Sequence, residues 1–170
     1  MGLKQVASQT VTSQVASIDF GGAITTNDTY MLAVSGFIPS IDAEDFRLRV
    51  TESGTQNSTA NYDAAYTVIR TDTTFQDGSY QNLTYLDVST AVGTDTGEQF
   101  NTIMYIHNAY NSSENTYFTF ENTQLSHTAL LIGNEGGGVF TSNSQVDGLL
   151  LFTTTGNIAS GVFTLYKLTS

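Results

Sequence analysis

The sequence predicts an all-β protein, an antiparallel β-sandwich of jelly-roll type with about ten strands and little or no helix. Three observations predict it. Short runs of alternating apolar and polar residues recur along the chain. The composition favours a pleated, half-buried surface, with 9 Tyr and 10 Phe among 170 residues alongside many Thr and Val. No segment sustains a 3.6-residue apolar period over the ~12 residues that a helix needs.

The elements follow in order. Alternation between polar turns predicts strands over residues 3–11, 14–20 and 29–37. The stretch 35–45, which holds the lone proline, Pro39, has room for one short turn. Phe46-Arg47-Leu48-Arg49-Val50 places three apolar side chains on one face and both arginines on the other. Further strands are expected over 60–70 and 80–88. Ile103-Met104-Tyr105-Ile106-His107 reads as a strand with both faces covered, whereas Tyr117-Phe118-Thr119-Phe120-Glu121 turns Phe118 and Phe120 inward. Strands over 125–133 and 148–153 come next. Val162-Phe163-Thr164-Leu165-Tyr166 closes the chain, with Phe163 and Leu165 sharing a face.

Turn residues mark the gaps: Gly21-Gly22, Glu52-Ser53-Gly54, Asp77-Gly78, the stretches 93–97 and 133–138, and Gly156. The gaps at 53–61 and 89–99 are too long for tight hairpins and suit Greek-key crossovers. The second, rich in Thr, Gly and acid, reads as a mobile surface loop. No compositional break divides the chain, so residues 1–170 are expected to form one domain, with 1–12 as an N-terminal arm or an edge strand. A chain of this length buries a core without staples, and there are no cysteines to supply any.

Charge narrows the function classes. Sixteen acidic residues face five basic ones, a net charge of −11. Phosphate backbones and anionic membrane surfaces repel such a chain, so neither nucleic acid nor membrane is an expected partner. The N-terminus lacks the apolar core of a signal peptide, and no run approaches the ~20 apolar residues of a membrane span. A protein partner is expected to offer a neutral or basic patch. Sequons at Asn27, Asn57, Asn82 and Asn111 are the chance yield of Asn- and Thr-rich loops.

Catalytic motifs are missing. His107 and His127 fall inside expected strands, and two ligands are too few for a metal without nearby carboxylates. No Gly-x-Ser-x-Gly elbow occurs. Sixteen acids make some carboxylate pair inevitable, so a glycosidase reading has little to rest on. Within Asp42-Ala43-Glu44-Asp45, the residues Asp42, Glu44 and Asp45 are a weak calcium candidate; the alternative is a solvated loop capping a turn. Gly136-Gly137-Gly138 has no following Lys-Ser/Thr and reads as a flexible loop presenting Val139 and Phe140. Phe140 is then a core plug or an exposed partner anchor. Tyrosines 62, 66, 80, 105, 110 and 117 form either a sugar-binding platform or ordinary cross-strand packing. Leu3, Lys4 and Val6 lie in a strand that pairs with a neighbour's sheet edge or serves as an edge of its own domain. These readings imply a structural or binding protein, with no cofactor, in preference to an enzyme.

Two stretches resemble tailed-phage virion proteins. Val34-Ser35-Gly36-Phe37-Ile38-Pro39-Ser40 followed by Asp45-Phe46-Arg47-Leu48-Arg49-Val50 is similar to a recurring "SGxxPs…LRLRv" pattern. Val146-Asp147-Gly148-Leu149-Leu150-Leu151-Phe152 through Gly156-Asn157-Ile158-Ala159-Ser160-Gly161-Val162-Phe163-Thr164-Leu165-Tyr166 resembles their "GNIasGtftLYG" ending. The chain departs from that ending at Lys167-Leu168-Thr169-Ser170, where such proteins more often close on Gly and an apolar residue. The resemblance implies a jelly-roll component of a phage particle, made in the host cytoplasm and placed in the virion. A chain that starts at its own methionine without a fibrous shaft suits capsid decoration, as a cement protein, better than a tail fibre. Such proteins commonly bind the major capsid protein as homotrimers and clamp neighbouring capsomers. The alternative is a receptor- or carbohydrate-binding module of a head fibre, tail fibre or tailspike.

Overall fold

The computed structural model describes residues 2–72 and 75–169; the ends of the expected domain, Met1 and Ser170, lie outside them, as do Thr73 and Thr74. Thirteen strands follow one another: β1 (Gly2–Val11), β2 (Ser17–Asp19), β3 (Tyr30–Pro39), β4 (Phe46–Glu52), β5 (Thr55–Gln56), β6 (Tyr62–Arg70), β7 (Gln76–Leu83), β8 (Leu86–Asp87), β9 (Phe100–His107), β10 (Thr116–Leu125), β11 (Leu131–Phe140), β12 (Gly148–Thr153) and β13 (Ile158–Thr169). They build an antiparallel sandwich. An eight-stranded sheet runs β1-β13-β3-β9-β10-β11-β6-β7, and a five-stranded one runs β2-β12-β4-β5 with β8 also paired to β4. Two of the thirteen, β5 and β8, are only two residues long.

Alternation fixes which side of each strand enters the core. In β4, Phe46, Leu48 and Val50 are fully buried while Arg47 and Arg49 point away. In β10, Phe118 and Phe120 go in, as expected. An aromatic knot joins the sheets: the Phe37 ring lies 5.1 Å from Phe46, 6.0 Å from Phe100 and 6.3 Å from Phe163. Each such side chain contributes roughly 1.5–3 kcal/mol on burial. The two phage-like stretches meet here. β3 pairs with β13 and β4 with β12, so residues far apart in sequence form adjoining strands in both sheets.

Several expectations need correction. Residues 125–133 are not one strand: β10 ends at Leu125, and a turn intervenes before β11. There the Ser126 hydroxyl accepts hydrogen bonds from the Thr128 and Leu130 N–H groups, and Ala129 takes a positive φ of 56°. His127 therefore sits exposed in a turn. Asp77-Gly78 lies inside β7, and the expected 80–88 strand divides between β7 and β8, which belong to different sheets. Gly136-Gly137-Gly138 is not a loop but the middle of β11. A Cβ at Gly136 would lie 2.4 Å from the Tyr66 Cβ, and one at Gly138 the same distance from Leu86 Cδ1. These glycines admit close neighbours; they do not break the strand. The 35–45 stretch does hold a short turn, at Asp42-Ala43.

The long 89–99 crossover is pinned, not loose. Val92 is fully buried and bridges both Glu44 and Ser126. From the inner face of β10, Asn122 Nδ2 donates to the Val88 carbonyl at 2.5 Å and Gln124 Nε2 donates to the Thr90 carbonyl. The crossover's backbone is thus tied to a sheet that its own sequence gives no hint of.

Candidate functional site

Outward side chains of the eight-stranded sheet form rows that cross the strands. One row runs His107, Tyr117, Val139, Asp63. The next runs Tyr105, Thr119, Gly137, Ala65, Ser79. A third runs Ile103, Glu121, Glu135, Thr67, Asp77. The middle row is small from Thr119 onward, so it floors a trough between two taller rows, closed at one end by Tyr105. Two depressions of about 640 and 750 Å³ mark it, the first walled by Ile103, Tyr105, Glu121 and Glu135, the second by Tyr117, Val139 and Asp63.

This face is bare. Ile103 is 49% exposed, Tyr117 47% and Tyr105 39%. The expectation that both sides of Ile103–His107 are covered is therefore wrong for the chain alone: Met104 and Ile106 are buried and their neighbours are not. The Tyr105 and His107 rings stack at 6.5 Å. Glu121 and Glu135 stand directly opposite each other on β10 and β11. Like charges in that position destabilise a sheet by up to about 1 kcal/mol.

The opposite face of the sandwich satisfies itself. Arg47 donates to Asp87 at 3.1 Å and Asp45 at 3.2 Å, with its guanidinium 4.2 Å from the Tyr85 ring centre. Arg49 lies 4.8 Å over Phe152 and donates to Gln56 and to the Thr84 carbonyl. Cation–π stacking and carboxylates occupy these arginines before any partner arrives.

The residues singled out from sequence are scattered. Leu3 is 54% exposed and Lys4 is exposed on β1, while Val6 packs on the core; β1 is the edge strand of its own domain, paired with β13. Val139 is half-buried in the first row beside Tyr117. Phe140 is fully buried, its ring 4.9 Å from Tyr62, so it is the core plug and offers no anchor. Five strand spacings, roughly 24 Å, separate β1 from β11, and the two patches do not meet. Of the six tyrosines, Tyr62, Tyr66, Tyr80 and Tyr110 pack on or in the core; only Tyr105 and Tyr117 are exposed.

Asp42, Glu44 and Asp45 accept hydrogen bonds from neighbouring loops. Ala43, at φ 63°, turns the chain between them. Asp42 Oδ1 accepts from Thr94 N–H at 3.2 Å, Asp45 Oδ1 from Ala91 N–H at 2.8 Å, and Glu44 accepts both the N–H and the hydroxyl of Thr155 at 2.5 Å. Among the described residues, no group of three His, Cys, Asp or Glu side chains converges as a metal site would require.

No family model matches the chain, and no curated protein matches it. Among solved structures, the GH43 protein BlXynB mutant (K247S) from Bacillus licheniformis aligns at 10% identity and a TM-score of 0.36, over 84% of this chain and 27% of that one. A likeness that slight carries no argument about fold or activity. This chain spans about a quarter of that protein. The trough, then, stands on its own geometry. Sequence reasoning located the outward Tyr117-Thr119-Glu121 set but not the register that brings Glu135, Gly137 and Ala65 beside it.

Proposed function

We propose that this chain is a non-catalytic phage virion protein that decorates the outer capsid surface. It binds the major capsid protein, as a homotrimer, and clamps neighbouring capsomers without covalent bonds. The observation that carries the reading is the contrast between faces: one sheet face is bare, broad and apolar-rimmed, while the other is internally satisfied. A protein that works by being bound needs such a face more than a cleft. Many modest copies act together, and each stable contact buries upward of ~1,000 Å².

The two phage-like stretches support the same reading, since together they form the paired spine of the sandwich. Glu121 and Glu135 give a glycosidase little support. Among the described residues no side-chain donor holds either carboxylate in place, and acid–base catalysis depends on such positioning. Mixing purified protein with capsids that lack it, followed by cryo-EM, tests the proposal. Occupancy of regular sites on the shell is the expected result; failure to occupy them overturns it.

A second reading has one specific observation in its favour. Exposed Tyr105 and Tyr117 rings on a single face could stack on sugar rings, as a host-receptor module would. Clear hits on a glycan array would favour it.

A further inference from the structure

We infer that the trough between Tyr117 and Glu121 is the docking surface itself, and that its occupant is a different protein presenting a basic side chain flanked by apolar ones. This rests on the reading of the chain as a capsid-binding protein and assigns that binding to one face.

Charge selects the occupant. The outward rows of β6, β9, β10 and β11 carry Asp63, Glu121 and Glu135 and no Lys or Arg. Among the described residues, no cation lies between Glu121 and Glu135, which face each other. A basic group placed there would offset their repulsion and gain from both. A second copy is poorly equipped to supply it. Of the five cations in the chain, Arg47, Arg70 and Lys167 are ion-paired and Arg49 is held by Gln56 and Thr84. That leaves Lys4 against a net charge of −11 on each copy. Nucleic acid and anionic membranes are repelled by the same charge.

Shape agrees. Gly136 and Gly138 are required inside the fold, because Tyr66 and Leu86 fill the space beside them. Gly137 points outward and has no such demand: a Cβ there would meet the Phe118 carbonyl at 3.3 Å, a contact relieved by a few tenths of an ångström. An outward glycine beside the outward Ala65 keeps the floor low, which is where another chain can approach closely.

The experiment uses the full chain and capsids lacking it. Glu121→Lys creates a cross-strand ion pair with Glu135, so the fold is preserved while the paired negative charge is lost. Gly137→Val fills the trough, with the melting temperature checking that the variant folds. Asp19→Lys makes the same charge change on the outer face of the five-stranded sheet. Expected are wild-type and Asp19→Lys occupancy alike, roughly tenfold weaker binding for Glu121→Lys and for Gly137→Val, and wild-type binding that weakens as salt rises. If the wild type occupies capsids and Glu121→Lys and Gly137→Val do so equally, the face assignment falls while the decoration reading stands. If the wild type never occupies them, the decoration reading falls and takes the inference with it. Sedimentation showing self-association that Glu121→Lys abolishes would put a second copy in the trough and overturn the chosen occupant. So would glycan binding that Gly137→Val abolishes.

Discussion

The ring of Tyr66 occupies the space that a side chain at position 78 would need. A Cβ built on Gly78 lies 2.4 Å from Tyr66 Cε2 and Cζ, and Gly136 leaves matching room on the other side of β6. Tyr66 is thereby seated between two glycines and packs towards Phe120 at 6.3 Å. Gly78→Ala is expected to cost about 1–3 kcal/mol by overpacking. Combining it with Tyr66→Ala should restore part of that loss, because the clash disappears with the ring. Strict additivity in a thermal double-mutant cycle would contradict this arrangement.

Tyr62 makes a second buried junction. Its hydroxyl accepts from Val50 N–H at 3.0 Å and donates to the Asn57 carbonyl at 2.8 Å, joining β4 to the crossover that enters β6. Burial raises its phenol further above the ordinary tyrosine range, so it remains a donor at any working pH. Tyr62→Phe leaves the Val50 N–H without its partner and should cost about 1–3 kcal/mol. In a domain of this size that corresponds to about 2–4 °C in Tm per kcal/mol. An unchanged midpoint in urea would count against the role.

How much of this was legible in the sequence depends on where the information lies. β4, β10 and β13 could be read from alternation, because a period of two assigns each side chain a face without knowledge of any neighbour. Gly136 and Gly138 could not, since the reason for those glycines is Tyr66 and Leu86, residues remote in sequence and adjacent only across the sheet and core. The irregularity near the end of β7 includes Asn82, which takes φ 57°, and the turn after β10 uses Ala129 in the same region; alanine gives no warning of it. The trough was hidden for a related reason. Ile103 and Tyr105 look like core residues in a single sequence, and nothing in hydrophobicity distinguishes cover by the same chain from cover by another.

The acids at 42–45 act as clasps for two loops. Because their oxygens already accept hydrogen bonds from Thr94, Ala91 and Thr155, added calcium or chelator should leave the melting temperature unchanged. Glu44→Ala frees the Thr155 N–H and hydroxyl and should cost about 1–3 kcal/mol. A clear calcium-dependent rise in Tm, abolished in Glu44→Ala, would restore the metal reading.

Asp87 gives the chain a pH dependence of unusual sign for a carboxylate. Burial is the main cause that pushes its carboxyl up to about 7; the nearby Asp45 charge adds to it, and Arg47 and the Ser89 backbone oppose it. Its Oδ1 is buried without a hydrogen-bond partner. Tyr80 fixes the site by accepting from Asp87 N–H at 2.6 Å and donating to its carbonyl at 3.0 Å. The native state holds this proton more tightly than the unfolded chain, where an Asp titrates near 3.9. The stability from this group is therefore complete below about pH 4 and is lost as pH rises through about 7. Within that window the slope is at most about 1.4 kcal/mol per pH unit. Asp87→Asn should remove the slope and be the more stable protein at pH 8. The quantity to read is the difference between the Tm–pH curves of the two proteins from pH 5 to 8. Parallel curves would mean that Asp87 is ionised throughout and that Arg47 outweighs its burial.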